Sequence, residues 1–253
     1  MRRLSILIII LLILSAVSCV NANSKIAVSY LAYHSRYALN MKDISGKRYM
    51  VYIFSTDEKK LPSGVRTWFN ETDQVFRGNY YAAIAAHNGK VAVRQNNTLF
   101  GFEEKDCRKG TLNICDTAYK NRAYVVRSKY EGQPDILIVT QQLTGNGDAN
   151  IRAFYVENGS LHLINWQNNA GAILKFTSTS GINAVKNLES LIYKTDGWVR
   201  SVEYTGRSET TWKFDQARRT MVFTEQTLLN KTSLEKDSSS GVNSLTAGKT
   251  PSS

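Results

Sequence analysis

The residue pair whose types and spacing predict a covalent bond is Cys107 and Cys115. The stretch CRKGTLNIC places them at the two ends of a short segment that also carries Arg108 and Lys109. In an exported chain such a pair predicts a disulfide, because compartments outside the cytoplasm are oxidising. The closed loop is small, so the bond would stabilise the fold by about 2 to 3 kcal/mol in the chain-entropy picture. The spacing does not suit zinc, and the sequence predicts no metal or other cofactor.

Acidic side chains are the second group that could do chemistry. A glycosidase requires two carboxylates at a suitable separation, and sequence spacing does not reveal that separation. The acids expected at strand ends or turns are Asp135, Asp148, Glu157, Asp196 and Glu203. Any β protein keeps acids at such places. A secreted carbohydrate-active hydrolase is therefore the alternative prediction, and a protein without catalytic activity is the first.

Signatures of other catalytic classes are missing from the sequence. It contains no GxSxG elbow, no Walker loop and no HExxH pair. The three histidines, His34, His87 and His162, are far apart. His162 alternates with two leucines, which predicts an exposed position or a strand histidine whose hydrogen bonds are satisfied.

The positive charge of the chain indicates an anionic partner. The formal net charge is +11 at pH 7, and a basic protein attracts polyanions by releasing their counterions. The basic residues lie in short groups, among them Lys47-Arg48, Arg108-Lys109 and Arg127 with Lys129. We expect an anionic envelope polymer, a lipid surface or another envelope protein as the partner, and no nucleic acid. Arg108 and Lys109 are the predicted contacts.

Aromatic residues offer a further type of binding surface. Trp68, Trp166, Trp198 and Trp212, together with 13 tyrosines, could stack on sugars. Trp and Tyr are also favoured in strands for their packing alone. We expect most of them in the core, and the sequence predicts no binding platform.

Strands are the elements that must position these side chains. Period-two alternation of β-branched and aromatic residues recurs from KIAVSYLAY at 25–33 through KRYMVYIFS at 47–55 to TMVFTEQ at 220–226. Helical periodicity is nearly absent, and 183–192 is the one stretch where a short helix competes. The sequence predicts a single all-β domain over 23–230, built as a meander of antiparallel hairpins.

Turn residues connect the strands. Asn-Gly and Asp-Gly accept the backbone angles of tight hairpin turns, and they occur at Asn88-Gly89, Asn158-Gly159 and Asp196-Gly197. With Gly46 and Asn121 they form a series spaced by roughly 32 to 43 residues, an interval typical of propeller blades or paired hairpins. We therefore expect the meander to form one of three architectures: a small propeller of about five blades, a barrel or a sandwich.

The N-terminus predicts export. Arg2 and Arg3 precede an apolar run at 4–14 that is short for a membrane-spanning helix, and small residues follow. This layout is that of a signal peptide over 1–22, cleaved after Ala22. An overlapping site, Ala16-Val17-Ser18-Cys19, resembles the lipobox of bacterial lipoproteins. That resemblance implies removal of 1–18 and a diacylglycerol on Cys19.

The C-terminal residues 231–253 have a different composition, rich in Ser, Thr, Lys and Gly. A segment with so few apolar residues cannot offset its ordering entropy, so we predict a disordered tail. The whole chain is thus predicted to be an exported, envelope-associated β protein with a binding or structural role. It would be periplasmic or secreted, with Cys19 as its membrane tether if it is lipidated.

Overall fold

The computed structural model describes residues 24–60, 75–97, 99, 111–115, 122–143, 148–180, 184–200 and 205–229. The predicted signal peptide with Cys19, and the predicted tail at 231–253, lie outside these ranges. The described residues form seventeen strands and one short helix, which confirms the all-β prediction.

The elements follow one another in this order: β1 (Lys25–Ala27), α1 (Val28–His34), β2 (Ser35–Lys42), β3 (Arg48–Ser55), β4 (Lys59–Lys60), β5 (Val75–Ala86), β6 (Val91–Arg94), β7 (Thr111–Cys115), β8 (Ala123–Val126), β9 (Ile136–Leu143), β10 (Asp148–Glu157), β11 (Ser160–Gln167), β12 (Ile173–Leu174), β13 (Thr177–Ser180), β14 (Val185–Glu189), β15 (Ile192–Arg200), β16 (Thr205–Asp215) and β17 (Thr220–Leu228).

Two sheets contain all of these strands. The first has seven strands in the order β1-β6-β5-β3-β2, with β4 and β7 also paired to β5. The second has ten, in the order β14-β15-β16-β17-β11-β10-β9-β8, with β12 on β11 and β13 on β10. They form a nearly closed, barrel-like arrangement. Of the predicted architectures, the barrel is the one that this arrangement matches.

Three four-stranded antiparallel meanders make up most of the two sheets. They are β2-β3-β5-β6, β8-β9-β10-β11 and β14-β15-β16-β17. Among the described strands every pairing is antiparallel except that of β11 with β17, where Asn165 lies opposite Thr220. This parallel pair joins the second meander to the third.

Strand alternation places residues of one strand in two different cores. On β3, Val51 and Ile53 enter a cluster that also contains Leu137 and Val139 of β9, so this cluster fills the space between the two sheets. On β9, the intervening Ile136 and Ile138 enter a second cluster with residues of β10 and β15–β17. The other face of β3 is covered as well, since Tyr52 and Phe54 belong to a third cluster. Both strands are therefore buried on both faces over 51–54 and 136–139, which explains why these stretches are continuously apolar.

The prediction of one strand over 25–33 is wrong beyond Ala27, where β1 ends. Residues Val28–His34 form α1, whose Leu31 is fully buried against the outer face of β3 and β5. Val28 and Leu31 are three residues apart, so both lie on one helix face and cover Phe54 and its neighbours. This tertiary packing overrides the strand preference of the β-branched and aromatic residues. Within the described ranges, no helix is long and apolar enough to cross a membrane.

The predicted turns at Asn88-Gly89 and Asn158-Gly159 are confirmed. Asn88 has φ 62° and Asn158 has φ 50°, the left-handed values that such turns require. Gly46, with φ 81°, likewise turns the chain between β2 and β3. Asn121 lies outside the described residues.

The predicted turn at Asp196-Gly197 is wrong. Both residues lie inside β15 and pair with Glu209 and Ser208 of β16. The turn into β15 follows β14, which occupies half of the segment 183–192, where the sequence left a short helix as an alternative. There Leu191 takes the positive φ of 58°. Sheet pairing on both sides of β15 outweighs the local turn preference of the Asp-Gly pair.

Candidate functional site

The structure describes only some of the residues that the sequence analysis named as candidates for a functional site. Cys107, Arg108 and Lys109 lie outside the described residues, as does Glu203. Cys115 ends β7, where its backbone pairs with Val75. The predicted disulfide and the predicted anion contacts at Arg108 and Lys109 therefore stay predictions.

A basic cleft lies where the first sheet meets the second. It has a volume of about 410 Å³. β2 and β3 supply one wall, and the residues that follow β8 and precede β9 supply the other. Its lining residues are Asn40, Lys42, Arg48, Arg127, Ser128 and Asp135.

Asp135 fixes the two walls of the basic cleft to each other. Its side chain is 2% exposed. One carboxylate oxygen accepts hydrogen bonds from the backbone N–H of Lys42 at 3.0 Å and from Nη1 of Arg127 at 2.9 Å, and the other accepts from the N–H of Ser128 at 2.9 Å. The N–H of Asp135 in turn donates to the carbonyl of Lys42 at 3.0 Å. The carboxylate is thus occupied by donors that hold the sheets together.

Two cationic side chains in the basic cleft lie directly opposite each other. Lys42 on β2 is the cross-strand partner of Arg48 on β3. Like charges in this relation destabilise a sheet. Nζ of Lys42 donates to the carbonyl of Tyr130 at 3.4 Å, and the nearby acid Asp43 accepts from Ser45 and from the N–H of Lys47 within the turn. The arrangement suits an anionic group placed between the two cations.

A second cavity, here named the hydroxyl cavity, lies on the third meander and its neighbours β11 and β13. Its volume is about 260 Å³. Its lining is uncharged throughout, and consists of Asn168, Asn169, Thr177, Ser178, Thr179, Thr195, Gly197, Trp198, Ser208, Thr210, Trp212, Phe223 and Gln226.

The tryptophans divide between core and surface. Trp166 and Trp212 are 1% and 6% exposed and pack edge to face with their ring centroids 4.9 Å apart, as the core prediction requires. Trp198 is 40% exposed and lines the hydroxyl cavity, which the sequence did not predict. Trp68 lies outside the described residues. The sequence does contain a signal for this cavity. Ser and Thr occupy alternate positions of TSTS at 177–180 and SETT at 208–211, where a strand normally buries apolar residues.

No protein-family model matches the chain, and no curated protein or solved structure matches it.

Of the acids considered for the alternative, hydrolytic function, those whose side chains the structure describes do not meet in either cavity. Within the described part of the chain, Asp135 is the one carboxylate that lines the basic cleft, and none lines the hydroxyl cavity. Glu157 lies 3.1 Å from Nη2 of Arg219 and 3.6 Å from Nε2 of His162. Asp196 lies 3.7 Å from the Nζ atoms of two lysines, Lys186 and Lys194. The side chain of Asp148 lies outside the description.

His162 is partly buried and has Glu157 as a carboxylate partner. This agrees with the prediction of a strand histidine whose hydrogen bonds are satisfied. Burial, followed by the charge of Arg219, lowers the pKa of its imidazole, and Glu157 opposes this shift. His34 stacks on Tyr30 with a centroid separation of 4.1 Å. In the described part of the chain, no three His, Cys, Asp or Glu side chains are grouped as a metal ion would require.

Proposed function

We propose that this protein is exported to the cell envelope and binds an anionic envelope polymer through the basic cleft. The observation that carries the proposal is the facing pair Lys42 and Arg48, beside a carboxylate that is already occupied. An anion between these side chains would replace repulsion by two attractive contacts. Arg is well suited to this role because its guanidinium offers two parallel donors to a phosphate or carboxylate.

Export is supported by the layout of residues 1–22. The formal net charge, +11 for the full chain, supports an anionic partner. A chain carrying such a charge attracts the polymers and head groups that surround it outside the cytoplasm. Cleavage after Ala22 would release the protein, and lipidation of Cys19 would hold it at a membrane. Either route leaves the basic cleft free to bind.

The binding test compares two double variants that remove the same charge. Lys42→Gln/Arg48→Gln changes the basic cleft, and Lys59→Gln/Lys60→Gln changes two exposed lysines of β4. The probe is a soluble inorganic polyphosphate chain, titrated at several salt concentrations. We expect the cleft variant to bind about tenfold more weakly and to lower the salt slope by roughly two, since each phosphate contact contributes nearly one. The β4 variant should stay close to the wild type.

Equal losses in both double variants would show a diffuse charge effect and overturn the cleft as the site. Vesicles containing phosphatidylglycerol form a separate arm. If the wild type binds these vesicles and not polyphosphate, the partner is a lipid surface, and the polymer proposal is wrong.

The export part has its own test, the N-terminal mass of the protein from its native host. A chain that begins at Asn23, or at a lipid-bearing Cys19, supports export. A cytoplasmic chain that still contains residue 1 refutes it.

A further inference from the structure

The hydroxyl cavity differs from the basic cleft in its chemistry. The described residues of its lining have hydroxyl, amide and aromatic side chains, and none of them is charged. Three charged residues of β15 and β16 pair with one another, since Lys194 forms ion pairs with Asp196 and with Glu209. A charged ligand would be desolvated here without a partner of opposite charge, so the lining selects against it.

Three hydroxyl oxygens of the cavity accept hydrogen bonds from other side chains of the lining. Nε1 of Trp212 donates to Oγ1 of Thr195 at 2.9 Å, and Nε2 of Gln226 donates to Oγ1 of Thr210 at 3.2 Å and to Oγ of Ser208 at 3.4 Å. Each of these three oxygens is an acceptor in its bond. Each therefore keeps its own O–H to donate. The cavity presents oriented neutral donors.

These hydroxyls are also deeply buried. Thr195 is 3% exposed and Ser208 is 1% exposed, although both line an open space. Buried hydroxyls are costly unless water or a ligand completes their hydrogen bonds. A ligand that carries hydroxyls of its own can replace such water without loss of hydrogen bonds.

Gly197 lines the cavity without adding a side chain to it. A Cβ placed there would lie 3.4 Å from Oγ of Ser208, so the missing side chain leaves the space free. Glycine weakens the interior of a strand, and it often marks a place where a ligand approaches the backbone closely. The next residue, Trp198, is 40% exposed and also belongs to the lining of the cavity.

We infer that the hydroxyl cavity binds a neutral carbohydrate, namely the end of an uncharged oligosaccharide. A sugar ring combines hydroxyls, which the Thr, Ser, Asn and Gln side chains can bind, with an apolar C–H face that can pack on Trp198. Among the described residues the lining holds no carboxylate, and we expect binding without hydrolysis. This site goes beyond the proposed binding of an anionic polymer and does not depend on it.

The test is calorimetric titration of the full chain with chitotetraose, cellotetraose and maltotetraose. We expect at least one of these uncharged tetrasaccharides to bind. Trp198→Ala should weaken that binding about tenfold or more, and Trp198→Phe should restore most of it because a ring is retained. Tyr33→Ala, which removes an aromatic ring that is 88% exposed on α1, is the matched control and should bind as the wild type does.

A second variant, Gly197→Val, fills the space without removing a polar group. We expect it to abolish binding, and β-branched residues suit a strand. Three results would overturn the inference: no binding of any of the three tetrasaccharides, equal binding by Trp198→Ala and wild type, or preference for an acidic oligogalacturonate. Release of shorter sugars during the titration would overturn the statement that the sugar is not hydrolysed. The Lys42→Gln/Arg48→Gln variant should bind the tetrasaccharide normally, which separates this site from the basic cleft.

Discussion

Replacement of Asp135 by asparagine should be one of the more damaging single-atom changes in this protein. The carboxylate accepts three hydrogen bonds at 2.9 to 3.0 Å and is 2% exposed. Asn keeps one acceptor oxygen. Its best orientation preserves the two bonds from Lys42 and Arg127, in weaker neutral form, and turns an NH₂ group toward the N–H of Ser128.

The magnitude follows from these bonds. A hydrogen bond to a charged group contributes about 1.5 to 3 kcal/mol, and a buried donor left without an acceptor costs about 1 to 3 kcal/mol. Asp135→Asn loses one such bond and weakens two, so the free energy of unfolding should fall by roughly 2 to 4 kcal/mol. For a domain of this size the corresponding drop in Tm is about 4 to 16 °C. Such a loss is a large part of a typical total of about 5 to 15 kcal/mol.

Asp57 provides the matched control for this prediction. It also accepts three hydrogen bonds, from Oγ of Ser55 and from the N–H and side-chain amide of Asn79. The backbone bond from Asn79 is the largest of the effects that lower its pKa. Because Asp57 is exposed, water can replace what Asp57→Asn removes, and the loss should stay below about 1 kcal/mol.

The assay is urea unfolding of the two variants and the wild type, followed by circular dichroism at neutral pH. A loss for Asp135→Asn that equals the loss for Asp57→Asn would refute the reasoning. It would mean that the bonds of Asp135 do not hold the two sheets together.

Two further predictions concern other buried polar groups. Burial disfavours the Glu58 carboxylate, but hydrogen bonds from Arg36 and Tyr80 outweigh it and keep its pKa below the usual value of 4.5. Its stabilisation is therefore complete above that value and is lost as the pH falls through the lowered pKa. Glu58→Gln should flatten this acid limb in urea unfolding across pH, and an unchanged limb would contradict it. Tyr193→Phe removes the acceptor of the Gln133 side-chain N–H, which is 1% exposed. We expect a loss of about 1 to 3 kcal/mol in thermal unfolding, and an unchanged Tm would contradict it.

Part of the basic cleft could be read from the sequence. A hairpin centred on Ser45, the residue before the turn glycine Gly46, places Lys42 opposite Arg48, because antiparallel strands pair symmetrically about their turn. Asp135 and Arg127 could not be added in this way. They belong to the second meander, and nothing local in the chain shows that β8 lies beside β2.

The hydroxyl cavity was harder to predict for a different reason. Thr195 and Thr210 look like solvent-facing strand residues, since polar residues on a half-buried strand normally face water. Asp196-Gly197 looks like a turn. Their burial depends on β13 and on the turn after β11, which meet β15, β16 and β17 only through long-range sheet pairing and not through local preference.

The parallel pair of β11 and β17 also constrains when the protein can fold. Asn165 lies opposite Thr220, so the edge of β11 stays unpaired until nearly all of the described chain has been synthesised. Contacts of such long range are formed late and slowly, and an open strand edge invites association with other chains. A chaperone that covers this edge until β17 pairs with it would therefore protect the folding chain from aggregation.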